Sequence, residues 1–293
     1  MDSLHESLKH YNISLSKGQI EQLSAYCQLL WEWNGRFNLT RHTTYDRFVS
    51  RDLVDSLAIA EFLRQDERVL DVGSGGGVPG IILKILRPDL HVELCDSTGK
   101  KSLALSEITN ELNLNIAVHH AKVESLLAAG IKPKNKKIAR PQHTTAKQEQ
   151  QPPQEIKRFT TLTIRAVSKL PQLLRMFSSY WTLFDRLLLI KGPNWVSERG
   201  EARHYNLVNK LALRVLKTYP TTIESKTTED NSALVNSVVL QICRKVDFEQ
   251  LDKIIDNHKI NLPQNERTEK RDHYKRHFKK TNPNSTKKTK RKT

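Results

Sequence analysis

The stretch Asp71-Val72-Gly73-Ser74-Gly75-Gly76-Gly77-Val78-Pro79-Gly80 restricts this chain more than any other. The run Arg68-Val69-Leu70-Asp71-Val72 leading into it has the length and β-branched content of a buried parallel strand. Gly73, Gly75 and Gly77 let the backbone turn tightly and approach a ligand that a Cβ would exclude. Pro79 suits the first position of a helix whose buried side is Ile81, Ile82 and Ile85. A strand, a glycine loop and a helix in register predict a nucleoside-binding unit; the plain alternative is a glycine-rich surface turn.

A dinucleotide fingerprint needs Gly-x-Gly-x-x-Gly, and Val78 stands at its third glycine. The pattern present is an acidic strand end followed by Gly-x-Gly-x-Gly. It resembles motif I of S-adenosylmethionine-dependent methyltransferases, whose cofactor carries no phosphate and asks for room and backbone polar groups. Nineteen residues after Gly77, Asp96 closes a second strand, His91 to Cys95. A carboxylate there can accept both ribose hydroxyls.

Around this unit the chain alternates strands and helices. A capping box at Ser16-Lys17-Gly18-Gln19 opens a helix with Ile20, Leu23, Cys27, Leu30 and Trp31 on one face, stopped near Trp33 by Asn34-Gly35. A second helix covers roughly 46–62, so residues 1–65 form a helical cap. Strands are predicted at 69–72, 91–95, 116–119, 160–166, 186–190, 214–219 and 235–243, with helices at 80–87, 100–112, 170–180 and 197–213. Such alternation predicts an α/β fold with a mostly parallel, seven-stranded sheet over residues 66–245.

The net charge of +16 is unevenly placed. Residues 267–293 hold 12 Lys and Arg against 2 acidic residues, and 132–158 hold 8 against 2, so the remainder is neutral. The segment 132–158 reads as a disordered basic insertion, and 246–293 as a basic tail after a short amphipathic piece. Such segments can add nonspecific affinity for nucleic acid. Cys27, Cys95 and Cys243 lie far apart, and no His spacing suits zinc, so neither disulfides nor a metal is expected. No run reaches membrane-spanning length, and Met1 to Glu6 carries no leader pattern. A reduced cytoplasmic protein without a membrane partner is expected.

Several residues then fall into a known order. Trp33-Asn34-Gly35-Arg36-Phe37-Asn38-Leu39-Thr40, Arg51-Asp52-Leu53-Val54-Asp55-Ser56, the loop 71–80, Asp96-Ser97 with Gly99-Lys100-Lys101, Arg165-Ala166 and Lys191-Gly192 resemble the ribosomal RNA small subunit methyltransferase G family, also called glucose-inhibited division protein B. The resemblance covers about 1–130 and 159–245. It implies a Rossmann-like class I methyltransferase that uses S-adenosyl-L-methionine to methylate N7 of a guanine in small-subunit (16S) ribosomal RNA, free or in the 30S particle, as a monomer. It places Asp71, Gly73, Gly75, Gly77, Val78, Asp96, Val123, Glu124 and Arg165 at the cofactor, and Arg36, Asn38, Arg51, Lys100 and Lys191 on the substrate side. Three positions depart from the family pattern: Asp52 stands where His is usual, Lys122 where Arg is common, and Thr160 where Asp often follows the Phe.

Guanine N7 carries an in-plane lone pair and no proton, so no general base is expected; Arg165 and Lys191 are the candidates for a catalytic contribution. Read without the resemblance, Arg165 holds a substrate phosphate or cofactor carboxylate, or else pairs with a structural carboxylate. Arg51 and Asp55 have the spacing of an exposed ion pair, Lys191 that of a solvated strand end, and Trp31 and Trp33 stack bases or pack the cap. Two other readings stay open: a methyltransferase of another RNA base or a non-RNA substrate, and an RNA-associated module that binds cofactor without turnover.

Overall fold

The structure, a computed structural model, describes residues 3–129, 158–224 and 232–251, without side chains for 222–234. The predicted insertion 132–158, apart from Arg158, and the tail beyond Leu251 lie outside the described residues. The chain divides into residues 1–248 and 249–293, and the fold below is that of the first unit.

Helices α1 (Leu4–His10) and α2 (Lys17–Phe37) come first. A short turn α3 (Tyr45–Arg47) then runs through a π-helical segment (Phe48–Leu53) into α4 (Val54–Ala60). Five βα units follow: β1 (Arg68–Val72), α5 (Gly80–Leu86), β2 (His91–Asp96), α6 (Gly99–Glu111), β3 (Ala117–His120), α7 (Val123–Ala129), β4 (Thr161–Arg165), α8 (Leu170–Met176), β5 (Arg186–Lys191) and α9 (Trp195–His204). A long hairpin, β6 (Leu211–Glu224) and β7 (Ser232–Arg244), ends the sheet.

The strand order is β3-β2-β1-β4-β5-β7-β6. The first five strands are parallel, and β7 runs antiparallel to both β5 and β6. The order reverses between β1 and β4, which opens a crevice at the carboxyl ends of the strands. Register brings Val72 level with Cys95 and Ile164, and Arg165 level with Ile190. The glycine loop, Asp96, Arg165 and Lys191 therefore emerge along one edge.

Alternation in β4 separates the two sheet faces. Leu162 and Ile164 join Leu70, Val72, Leu187, Leu189 and Leu240 in an apolar core with α7, α8 and α9. Thr161, Thr163 and Arg165 point to the other face, toward the N-terminal helices. At the amino ends of the strands, Arg186 (1% exposed) bonds Glu67, Thr161, Gln241 and the Phe62 carbonyl. The Arg186 guanidinium thus ties together residues far apart in the chain, so this end is a structural clamp.

Four local expectations are corrected. Helix α2 passes through Asn34-Gly35 and ends at Asn38, whose φ of 50° caps it, while the Asn34 side chain accepts from the Thr40 N–H. Asparagine tolerates that left-handed conformation. The helix from Trp195 ends at His204, because Leu211–Leu213 pair with Ile242–Arg244 in the hairpin. Pro79 caps α5 from outside rather than opening it. The expected helix at 46–62 contains the π segment, where the Val54 N–H reaches the Val49 carbonyl.

Candidate functional site

The glycine loop has an open and a closed side. Gly73, Gly75 and Val78 are partly exposed, whereas Asp71, Ser74, Gly76 and Gly77 are buried. Gly73, Gly75 and Gly77 have φ of 67°, 58° and 96°, a region other residues rarely adopt. Added Cβ atoms would differ in what they meet. At Gly73 one would lie 2.5 Å from Val167, and at Gly77 2.5 Å from Ile81; at Gly75 the nearest atom is the Gly73 carbonyl oxygen at 3.8 Å. Gly73 and Gly77 are small because the protein packs there. Gly75 instead borders space the protein leaves open, and its positive φ by itself favours glycine.

The loop is stitched to its surroundings on three sides. The Gly73 and Ser74 N–H groups donate to the Cys95 carbonyl at 2.7 and 3.2 Å, and the Ser74 hydroxyl donates to the Asp71 carbonyl. The Asp96 carboxylate accepts from Gly75 N–H at 2.9 Å and Thr98 N–H at 2.8 Å, which fixes it at the loop with acceptor capacity to spare. From the N-terminal helices, Tyr26 Oη donates to the Gly76 carbonyl at 2.7 Å, fully buried. Sequence reading missed Tyr26; its only signal was a polar-tipped aromatic in the apolar stripe of α2.

Asp71 works from beneath. Its carboxylate, 1% exposed, accepts from the Gly80 N–H and the Thr163 hydroxyl, so it braces the loop against α5 and β4. Burial pushes it up to about 6, against the lowering effect of those hydrogen bonds. A raised folded value favours folding below the unfolded carboxyl range and loses that contribution as pH rises through about 6. Two units correspond to up to about 3 kcal/mol. The stability difference between Asp71→Asn and the wild type should therefore shift in the variant's favour between about pH 4 and 7, by denaturant titration. A pH-independent difference would contradict this assignment.

The remaining cofactor candidates flank the same edge. Val123, the first residue of α7, is buried in the core cluster, and Glu124 is half-buried beside it. Burial, with Asp96, Asp71 and Glu124 nearby, pushes the Cys95 thiol up to about 12, so it is no nucleophile. Among the described residues, no group of three His, Cys, Asp or Glu side chains could hold a metal ion.

Arg165 is held in a polar cluster. Its guanidinium meets Asp52 Oδ1 at 2.6 Å and Asp55 Oδ2 at 3.0 Å. His42 Nδ1 lies 2.9 Å from Asp52 Oδ1, and Tyr219 Oη donates to Asp55 Oδ1 at 2.8 Å. Burial alone would raise both carboxyls. Arg165 and His42 hold Asp52 below its ordinary value, while burial keeps Asp55 above its own. The charge of Arg51 also favours the Asp55 carboxylate. Asp52, which departs from the family pattern, is thus the partner of Arg165 and His42.

The next residue, Ala166, has φ of 54°. Such a conformation costs an L-residue about 1–2 kcal/mol. Ala166 already bears that cost, so Ala166→Gly should lose no stability despite its more flexible unfolded chain, while Ala166→Val, whose β-branched side chain fits this region worse still, should lose about 1 kcal/mol or more. Thermal denaturation ranks the three.

Substrate-side candidates divide. Lys191 donates to the Ser168 carbonyl at 2.9 Å and pairs with Glu198 at 2.6 Å, so its charge is spent locally. Arg36 and Asn38 are exposed at the end of α2, and Lys100 opens α6 nearby. Trp31 points inward, donating its indole N–H to the His42 carbonyl.

A model of the GidB family, rRNA small subunit methyltransferase G, matches residues 19–224. A ribosomal RNA small subunit methyltransferase G from Rhodopirellula baltica is 44% identical over 214 residues, 73% of this chain and 81% of that protein. One from Pseudomonas entomophila is 43% identical over 127 residues, 43% of this chain and 59% of that protein. Among solved structures, a precorrin-6y C5,15-methyltransferase from Geobacter metallireducens aligns with TM-score 0.43 at 10% identity, covering 66% of this chain and 88% of that one. With a family match over residues 19–224, which takes in most of α2, the glycine loop and strands β1 to β6, this chain belongs to the rRNA small subunit methyltransferase G family.

Proposed function

We propose that this protein transfers a methyl group from S-adenosylmethionine to N7 of a guanine in small-subunit ribosomal RNA. The family match over residues 19–224 carries this reading, and the open cradle at Gly75 beside Asp96 fits the cofactor. The cofactor, when bound, supplies an electrophilic methyl group on a sulfonium.

Gly73, Gly75 and Val78 would hold it through the open side of the loop, Asp96 through its ribose, and Val123 and Glu124 beside its base. Guanine N7 needs no deprotonation at neutral pH, so the residues at the mouth have to align the base and exclude water. Arg165 fits a positioning part: paired with Asp52 and Asp55, it sets the shape of the crevice wall and contributes a fixed charge.

Residues 1–65 act as the cap that steadies the loop, a reading supported by Tyr26 on Gly76. Among the described residues no helix is long and apolar enough to cross a membrane. The three cysteines are free and buried, which suits a reduced cytoplasm. A monomer acting on free RNA or the 30S particle completes the proposal.

The test is transfer from labelled S-adenosylmethionine to small-subunit RNA from cells lacking this protein. A single new 7-methylguanosine is expected. Label on another base would move the reading to a different RNA methyltransferase. Cofactor binding with no transfer to RNA or subunits would leave a binding module.

A further inference from the structure

We propose that the outer end of α2 and the first turn of α6 form a stacking platform for an unpaired nucleotide of the RNA, beside the glycine loop. The proposal rests on the RNA-directed function above. Tyr26, Leu30, Trp33 and Phe37 recur at the spacing that places them in one stripe along α2. The inner pair is buried on the loop: Tyr26 bonds the Gly76 carbonyl, and a Cβ at Gly76 would lie 3.0 Å from Leu30. The outer pair leaves the core, and both Trp33 and Phe37 are half-buried.

Those two rings stack with centroids 5.6 Å apart at 26°. The Arg36 guanidinium lies 5.0 Å from the Trp33 ring centroid, and the Lys100 ammonium 5.9 Å from that of Phe37. Two aromatic rings and two cations thus stand together at the solvent boundary. Lys100 follows Asp96 by one short turn, and Asp96 grips Gly75 just as Tyr26 grips Gly76. The platform is therefore tied through two elements to the two adjacent glycines of the loop.

An unpaired nucleotide has the complementary chemistry, a π face for the rings and a phosphate for the cations. A duplex hides its base faces and cannot use the rings. Arg36 also has Glu32 at 3.5 Å, with both side chains more than half exposed, a pairing weak enough for a phosphate to replace. Trp31 takes no part, since its indole N–H is committed inward.

The test uses the full chain with a short mixed-sequence RNA, as single strand and as duplex, by fluorescence anisotropy at several salt concentrations. Trp33→Leu and Phe37→Leu keep apolar bulk and remove the stacking face. Each should weaken single-strand binding by about 5- to 150-fold, with much less effect on duplex and none on cofactor affinity. Trp33→Tyr should retain most of the affinity. Arg36→Gln and Lys100→Gln should each reduce the single-strand salt slope by about 0.7. Unchanged single-strand affinity in the Leu variants, while the wild type still methylates RNA, would overturn the platform and leave the function standing. Equal losses on single strand and duplex would also overturn it. Failure of the wild type to bind or methylate any RNA would remove both readings, and capture of a protein by this face would then name its true occupant.

Discussion

Arg165→Met will lower stability by about 3–5 kcal/mol at neutral pH, because it removes the guanidinium that contacts both buried carboxylates, Asp52 and Asp55. Both are almost wholly enclosed, at 2% and 1% exposure, and Asp52 Oδ2 has no hydrogen bond even in the wild type. Without Arg165, the folded-state value of Asp52 rises above the unfolded one, and that of Asp55, already raised by burial, rises further. Their contribution is then favourable at low pH and lost as pH rises, so the penalty should be smaller near pH 4 than at pH 7. Adding Asp52→Asn and Asp55→Asn to Arg165→Met should recover much of the loss, since neutral amides are cheaper to bury. Urea titration of the three proteins at two pH values measures this. A loss below about 1 kcal/mol that does not vary with pH would mean that the cluster is solvated and Arg165 is available to ligands.

Gly75→Val should reduce affinity for S-adenosylmethionine by about 100-fold or more, the equivalent of ~3 kcal/mol, while the protein remains folded. The protein itself leaves room for the first added carbon, since the nearest atom to a Cβ there is 3.8 Å away. What it would fill is the space proposed for the cofactor, and at φ of 58° a β-branched residue also strains the loop. Gly77→Ala is the contrasting variant, because its methyl would sit 2.5 Å from Ile81 and 3.2 Å from Leu105. That change should lower the melting temperature first. Calorimetric titration with cofactor and thermal melting on both proteins separate the two causes. Wild-type affinity in Gly75→Val would mean that the open side of the loop is not where the cofactor lies.

Much of this architecture is visible in the sequence because its causes are local. The alternation of Thr161-Leu162-Thr163-Ile164-Arg165 announces a strand with one apolar face, and the structure places that face in the core and the other toward the N-terminal helices. The glycines of the loop and the acidic residue at the end of β2 are likewise set by backbone demands within a few residues. Boundaries were less legible. Asn34-Gly35 carries a turn signal, yet α2 continues through it because the packing of Trp33 and Phe37 outweighs a weak local preference.

The sequence by itself determined the strand, glycine loop and helix, the parallel sheet around them and the family, since these follow from residue type and spacing along the chain. Only the tertiary structure decided which charges are available. Arg165 and Lys191 look alike as strand-end cations, and the Arg51–Asp55 spacing suggests an exposed pair. In the fold, Arg165 is claimed by Asp52 and Asp55 from more than a hundred residues earlier, Lys191 by Glu198, and Asp55 by Tyr219. The physical reason is that burial makes a charge depend on whatever partner the fold brings within about 3 Å, and that distance is unrelated to separation along the chain.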